Sequence, residues 1–205
     1  MSHAVQSKLM PNIKREDLKI QPPELAQVEV EPEATTPPEK AAIKSVIRTG
    51  LQNEAKYLAK VYLNSAAFSA SHYQGISVDA AKMKASPMSE IVQKLFNVFL
   101  SSQVLVTCFE GKIIAFGILS LKRAWIEGLY VEPSFFRKKI GSDLLAYMEK
   151  KARDSELKYL RLASSLFAED FFLKAGYEYE ENIRKEHNMQ SAGIRLKSVN
   201  MKKNL

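Results

Sequence analysis

The chain has 205 residues, of which 46% are hydrophobic and 26% charged, a composition typical of a globular domain with an appended segment. No apolar run approaches the roughly 20 residues of a membrane helix, and the N-terminus lacks an apolar signal-peptide stretch, so we expect neither. The single cysteine, Cys108, excludes an internal disulfide and a cysteine-based metal site, and it favours a reducing, cytoplasmic setting.

The net positive charge lies after the first 44 residues. The formal net charge is +7; residues 1–44 contain six Lys/Arg and seven Asp/Glu, which leaves −1 there and +8 in the remainder. A basic domain is typical of proteins that bind an anionic ligand, either a nucleic acid or a phosphorylated cofactor. Charge alone does not choose between the two.

Residues 1–44 have the composition of a flexible arm. Six of the eight prolines lie within the first 38 residues, and no glycine precedes Gly50. Such a segment cannot bury enough apolar surface to offset the entropy of ordering it. We therefore predict a flexible arm over 1–44, either a plain disordered tail or a docking segment, and a folded domain over 45–205.

From Ser45 onward the hydrophobic periodicity predicts alternating strands and helices. In chain order these are a strand over 45–50, helices over 54–68 and 89–102, strands over 104–110, 113–121 and 124–133, a helix over 140–155, a strand over 158–165, a short helix over 168–176, and strands over 177–183 and 194–203. The order β-α-α-β-β-β-α-β-α-β-β predicts an α/β domain with a mixed central sheet and helices on both faces. The helical crossover makes the strands on either side of it parallel.

The junction between the strand over 124–133 and the helix over 140–155 resembles an anion site. Arg137, Lys138 and Lys139 stand at the helix start, where the backbone already carries positive partial charge, so they cost stability unless an anion binds there. Gly141 allows a ligand to approach the backbone closely, and Ser142 can add a hydroxyl. The junction predicts a pyrophosphate site; the alternative is a solvated basic loop.

The surrounding sequence limits the kind of phosphate site. Neither the GxGxxG dinucleotide pattern nor the GxxxxGK[ST] pattern occurs. Gly128, inside an otherwise apolar strand, predicts a β-bulge that separates this strand from its parallel neighbour. A pantetheine-like chain can form hydrogen bonds along such a slot while its pyrophosphate lies on the helix N-terminus.

The run AWIEGLYVEPSFFRKKIGSDLLAYMEKKA, followed by LRLASSLFAEDFFLKAGY, resembles the acetyl-CoA-binding core of the GNAT N-acetyltransferase superfamily. The matching residues are Val131-Glu132-Pro133, Ile140, Gly141, Ala168, Phe171-Phe172 and Gly176-Tyr177. The resemblance in element order extends from Val46 to Met201, and the ending GIRLKSVNMKK resembles the last strand of many bacterial members. The family's Gln/Arg position is Phe136 here and its first glycine is Lys139, so the phosphate loop is degenerate.

The resemblance implies acetyl-CoA as co-substrate, no metal, and direct attack by an amine on the bound thioester. It assigns donor binding to strand residues Leu129, Tyr130 and Val131 and to Arg137, Lys138, Lys139, Ile140, Gly141 and Ser142. At the position where the family often has a Tyr that acts as general acid, this chain has Phe172. The general acid is therefore unassigned.

Two further residues are predicted to take part in the chemistry. Glu127, beside the expected bulge, is the preferred general base; the alternative is an outward carboxylate or one paired with a lysine. Ser164, near the end of the parallel strand, contacts pantetheine or the leaving sulfur, or serves with Ser165 as a helix cap. His72 and Tyr73 lie in a loop that shapes the acceptor pocket in the family, and His187 is placed between the last two strands; solvated loop histidines are the alternative.

The resulting hypothesis is a cytoplasmic, bacterial-type enzyme that moves an acetyl group from acetyl-CoA to a primary amine, on a small molecule or a protein, in a ternary complex. The first alternative is a domain with the same fold that binds acyl-CoA or a protein partner without turnover. Phe136, Lys139 and Phe172, which depart from the family pattern, favour this alternative. A nucleic-acid-binding module ranks last, because no basic helix with interleaved aromatic residues occurs. We expect no membrane partner, and a homodimer is compatible with the sequence.

Overall fold

A computed structural model describes residues 44–71, 88–191 and 194–205, which lie in one compact unit spanning Ala41–Leu205. Apart from Lys44, the predicted arm lies outside the described residues. The loop that contains His72 and Tyr73 lies outside them as well.

The described residues form eight strands and four α-helices. These are β1 (Val46–Thr49), α1 (Ala55–Ser71), α2 (Met88–Val98), β2 (Gln103–Phe109), β3 (Lys112–Ser120), β4 (Trp125–Val131), α3 (Ile140–Asp154), β5 (Tyr159–Ser165), α4 (Glu169–Lys174), β6 (Glu178–Tyr179), β7 (Glu186–Ser191) and β8 (Ile194–Asn204). Single 3₁₀ turns precede α1, follow β4 and follow β6. None of the helices in these ranges is long and apolar enough to cross a membrane.

The strands form one mixed sheet in the order β1-β2-β3-β4-β5-β8-β6, with β7 also paired to β8. β2 and β3 form a hairpin, whose two turn residues, Glu110 and Gly111, have φ values of 49° and 74°. Positive φ at both turn positions matches the right-handed twist of the strands. β4 and β5 are parallel, which confirms the predicted crossover through α3.

Alternation along the strands divides the core into two clusters, one on each face of the sheet. Leu105, Ala115 and Leu119 pack with α3 on one face, whereas Val106 and Phe116 pack with α1 and α2 on the other. The apolar face of α3, the helix that connects β4 to β5, is fully buried. It consists of Ile140, Leu144, Leu145 and Met148. Helices therefore cover both faces, as the sequence predicts.

The region after the short helix differs from the sequence prediction. In place of one strand over 177–183, β6 has two residues and ends in a turn at Glu181 and Asn182, whose φ values of 57° and 56° redirect the chain. The separate strand β7 was not predicted, because its polar sequence EHNMQS lacks alternation and it forms by pairing with β8. The placement of His187 between strands was wrong, since it lies in β7 opposite Ser198.

A glycine turn ends α4. Gly176 has φ 85°; its N–H donates to Leu173 O, and the N–H of Tyr177 donates to Phe172 O, which together form a Schellman motif. The motif turns Tyr177 into the α3-side core, where it is 1% exposed and burial raises its pKa. The start of β6 is therefore fixed directly beneath α3.

Candidate active site

A bulge in β4 opens a slot beside β5. Ile118 of β3 pairs with Gly128 and Leu119 pairs with Ile126, so Glu127 is the extra residue. On the other edge, among the described residues of both strands, β4 pairs with β5 only at Trp125–Arg161 and Ile126–Leu162. Beyond these pairs the two strands separate. The bulge that Gly128 predicted is confirmed, and it lies where the backbone edge of β4 leaves its neighbour.

The bulge also changes which face each residue of β4 occupies. Ile126 and Leu129 both pack in the α3-side core although they are three positions apart, which in a regular strand would place them on opposite faces. Tyr130 packs on the opposite face, stacked on Phe116 with ring centroids 4.9 Å apart. A Cβ on Gly128 would lie 2.4 Å from the Tyr130 ring, so only glycine fits beneath it. Tyr130 thus contributes its backbone to the slot and its ring to the α1-side core.

Glu127 is held by two donors from other segments. Ser102 Oγ donates to Glu127 Oε2 over 3.3 Å, and Arg123 Nη1 donates to Oε1 over 3.2 Å. The Glu127 side chain is 24% exposed, so it reaches solvent while both oxygens are engaged. The partner is an arginine rather than the lysine considered as an alternative. No sequence pattern identified Ser102 or Arg123 as a partner of Glu127, because both contacts depend on the fold.

The N-terminus of α3 presents a run of free backbone donors. Among the described residues, no acceptor is found for the N–H groups of residues 137–142, whereas the N–H of Asp143 already donates to Lys139 O over 2.9 Å. Arg137, Lys138 and Lys139 are exposed, and no carboxylate of the described chain pairs with them. Lys138 Nζ lies 5.0 Å from the centre of the Phe135 ring. Free N–H groups and unpaired cations at a helix start form a strong anion site.

Two residues of this junction adopt a backbone conformation that favours glycine. Arg137 has φ 62°, and Lys139, which caps α3, has φ 63°. A left-handed lysine followed by helical residues turns successive N–H groups toward one point, which is the geometry of an anion-binding nest. Lys139 therefore adopts a turn that glycine would adopt without strain, at a cost in backbone energy.

The substitution Lys139→Gly is expected to stabilise the domain. Because glycine adopts positive φ freely, the free energy of unfolding should rise by about 0.5–1 kcal/mol. Denaturant unfolding checks this, with Lys139→Ala as the matched control that removes the same charge without relieving the backbone. An alanine variant as stable as the glycine variant would show that the charge, and not the φ value, is what costs stability.

The other sequence candidates lie around the far side of the slot. Ser164 is 1% exposed and its Oγ donates to Ser165 O over 2.9 Å, so in this structure its hydroxyl is engaged in a local bond. A helix cap is not what it forms, since α4 has no side-chain cap. Its contact with the leaving sulfur stays a prediction. Phe172 is buried, 6% exposed, in the α3-side core.

A second carboxylate near the end of the slot was missed by sequence reasoning. Glu132, the residue after β4, accepts a hydrogen bond from Asn64 Nδ2 of α1 over 2.8 Å. The pair joins α1 to the end of β4. Asn64 lies in the middle of a helix, where nothing in the sequence marks it as a partner of a residue 68 positions later.

An ion-pair network fixes α4 and the loop before it. Both oxygens of Glu169, which is 8% exposed, accept hydrogen bonds from Arg184, and Tyr179 Oη donates to Oε1 over 2.6 Å. The Arg184 guanidinium lowers the pKa of Glu169, opposed by partial burial. The segment that connects β5 to α4 is thereby anchored to the sheet. In the described residues no group of three His, Cys, Asp or Glu side chains is arranged to hold a metal.

The slot and the anion site lie in a segment that matches a known protein family. The model described as the acetyltransferase (GNAT) family matches residues 80–177, which contain the bulge, the slot and the anion site. These residues, a little under half of the chain, are similar to the GNAT family. A comparison with curated protein sequences finds no match.

Solved structures show the same GNAT fold. A GCN5-related N-acetyltransferase (aminotransferase, class II) from Rhodopseudomonas palustris is 23% identical, with a TM-score of 0.63 over 78% of this chain and 95% of that one. PaiA N-acetyltransferase from Thermoplasma acidophilum, in complex with coenzyme A, is 17% identical, with a TM-score of 0.54 over 78% and 99%. YncA, a putative acetyltransferase from Salmonella typhimurium with its cofactor acetyl-CoA, is 16% identical, with a TM-score of 0.56 over 78% and 93%. These likenesses establish the GNAT fold of the domain.

Proposed function

We propose that the domain transfers the acetyl group of acetyl-CoA to a primary amine by direct attack in a ternary complex. The observation that carries the proposal is the run of N–H groups at residues 137–142 and the cations there, none of which has a partner among the described residues, at the open end of the β4–β5 slot. A pyrophosphate is the part of acetyl-CoA that fits such a site. Two of the similar structures contain coenzyme A or acetyl-CoA, which supports the same donor here.

The edge of β4 that faces the slot is proposed to bind the pantetheine and the thioester. Leu129 and Val131 pair with Gly117 and Ala115 of β3, and neither pairs with a residue of β5. Backbone N–H and C=O groups on an unpaired strand edge can bind an amide-bearing chain in the manner of an added strand. One N–H of residues 129–131 polarises the thioester carbonyl as negative charge develops on its oxygen.

Glu127 is proposed to act as the general base, directly or through water. The amine lone pair attacks the thioester carbon, the C–S bond breaks, and the proton lost by the amine passes to the carboxylate. Ser102 and Arg123 keep both carboxylate oxygens fixed while a quarter of the side chain stays exposed. The departing thiolate receives its proton from a group other than Phe172, which has none to give, and Ser164 remains a candidate for contact with the sulfur.

The phosphate loop belongs to a degenerate variant of the GNAT pattern. Phe136 replaces the Gln/Arg of the pattern and Lys139 its first glycine, yet the positive φ of Lys139 supports the turn that the pattern requires. We further propose a cytoplasmic enzyme of the bacterial type, with residues 1–44 as a flexible arm. No metal enters the proposed reaction.

The second candidate function is acyl-CoA binding without turnover. Buried Phe172 at the usual Tyr position is the observation that favours it. A thiol-release assay with acetyl-CoA and a panel of small primary amines and N-terminal peptides separates the two functions. Acceptor-dependent release of coenzyme A supports the acetyltransferase; tight acetyl-CoA binding with no release for any amine supports the binding domain.

A further inference from the structure

Three phenylalanine rings from three different segments form a cluster beside the slot. Phe68 of α1 contacts Phe136 edge-to-face with ring centroids 5.0 Å apart, and it contacts Phe167 at 5.8 Å. Phe136 and Phe167 are 6.3 Å apart. We call these three residues the aromatic cluster. Their separation in sequence means that only the fold brings them together.

The position of the aromatic cluster follows from the two strands that separate. Phe136 lies in the loop after β4, and Phe167 lies two residues after the end of β5. Because β4 and β5 are paired only near Trp125 and Ile126, their carboxyl ends stand apart. Rings that come from both sides and lie 6.3 Å apart therefore span the gap, and Phe68 covers them from α1.

The aromatic cluster is more exposed than a structural core. Phe167 is 39% exposed, and Phe68 and Phe136 are half-buried. Partly exposed aromatic rings at the mouth of a slot are typical of a surface that contacts a ligand. Edge-to-face ring pairs at such a site are weak individually, so they can separate without unfolding of the elements that carry them.

We propose that the aromatic cluster is a gate that closes the mouth of the slot in the donor-free protein and parts to admit the pantetheine chain. The cationic loop attracts the pyrophosphate outside the gate, and entry of the acyl-bearing end waits for the rings to separate. This inference rests on the proposed acetyl-CoA site. It gives a role to Phe136, which occupies the Gln/Arg position of the pattern but cannot bind phosphate. The Phe136 ring instead contacts Phe68 and Phe167.

The test compares acetyl-CoA association rates by surface plasmon resonance for wild type, Phe167→Ala and Phe68→Leu. Removing the Phe167 ring abolishes its contacts with Phe68 and Phe136, so the association rate is expected to rise roughly tenfold. Phe68→Leu keeps an apolar side chain on α1 and should raise the rate by a smaller factor. The matched control is Tyr57→Ala, which removes an aromatic ring of α1 that is 53% exposed and lies outside the cluster. Its association rate should equal that of wild type.

The outcomes separate the gate from the donor site itself. Unchanged association rates with faster dissociation would show that the rings line the bound donor, and the gate would be wrong. Unchanged rates of both kinds would overturn it as well. If thermal melts show that wild type and every variant are folded but none binds acetyl-CoA, the proposed donor site is contradicted. The gate, which depends on that site, is then contradicted as well. Binding by Phe167→Ala alone would support the gate.

Discussion

The double substitution Arg137→Ala/Lys138→Ala is expected to weaken acetyl-CoA binding roughly a hundredfold, since each charge-assisted phosphate contact contributes about a factor of ten. Both side chains are exposed, and neither is paired with a carboxylate of the described chain. Their removal therefore takes charge from the anion site without breaking an internal ion pair. Titration calorimetry with acetyl-CoA and with desulfo-CoA measures the loss, which should be equal for the two ligands because they share the pyrophosphate.

The control for the double substitution removes the same charge from the other end of α3. Lys150→Ala/Lys151→Ala lowers the net charge equally but lies away from the helix N-terminus. This variant should bind acetyl-CoA as wild type does. Equal losses in the two double variants would mean that overall charge, and not a site at residues 137–142, attracts the donor. An unaffected Arg137→Ala/Lys138→Ala variant would contradict the assignment of these cations.

The second large effect is expected for Glu127→Gln. Removing the proposed general base should lower kcat by roughly 10²–10⁴, while the Kd for acetyl-CoA stays at its wild-type value. The amide oxygen of glutamine can accept from Arg123 and its NH2 group can donate to Ser102 Oγ, so both contacts can be kept. Steady-state kinetics with an amine identified in the acceptor panel, together with calorimetry, gives both quantities.

Glu132→Gln is the matched variant for Glu127→Gln. Glu132 is a second carboxylate near the slot, bonded to Asn64, and glutamine retains an oxygen that accepts this bond. Its kcat should stay within a few-fold of wild type. A large loss of kcat in Glu132→Gln with a small loss in Glu127→Gln would transfer the role of base to Glu132.

The fold could be predicted from the sequence because local patterns and the global arrangement agree. Two-residue and 3.6-residue periods marked the strands and helices of the sheet, and the Glu110-Gly111 turn fixed a hairpin register. Gly128 was informative for a steric reason, since the Tyr130 ring leaves no room for a Cβ. The bulge and the slot followed from that glycine together with the parallel crossover.

The parts of the site that sequence reasoning missed are those created by contacts between distant segments. Ser102 reaches Glu127, Asn64 reaches Glu132, and no local pattern anticipates either pair. Positive φ at Lys139 was not predicted either, because a long side chain rarely adopts it. The strand β7 escaped detection for a related reason, since pairing with β8 and not intrinsic preference makes it a strand.

The central claim is that acetyl-CoA lies along the edge of β4 with its pyrophosphate on the N-terminus of α3. Amide chemical shifts of the ¹⁵N-labelled chain, recorded while acetyl-CoA is added, test it most directly. The largest changes should fall on the amides of Leu129–Val131 and of residues 137–142. Changes confined elsewhere, for example to the polar cavity of about 410 Å³ beside Glu178–Asn182, or no changes at all, would contradict the account.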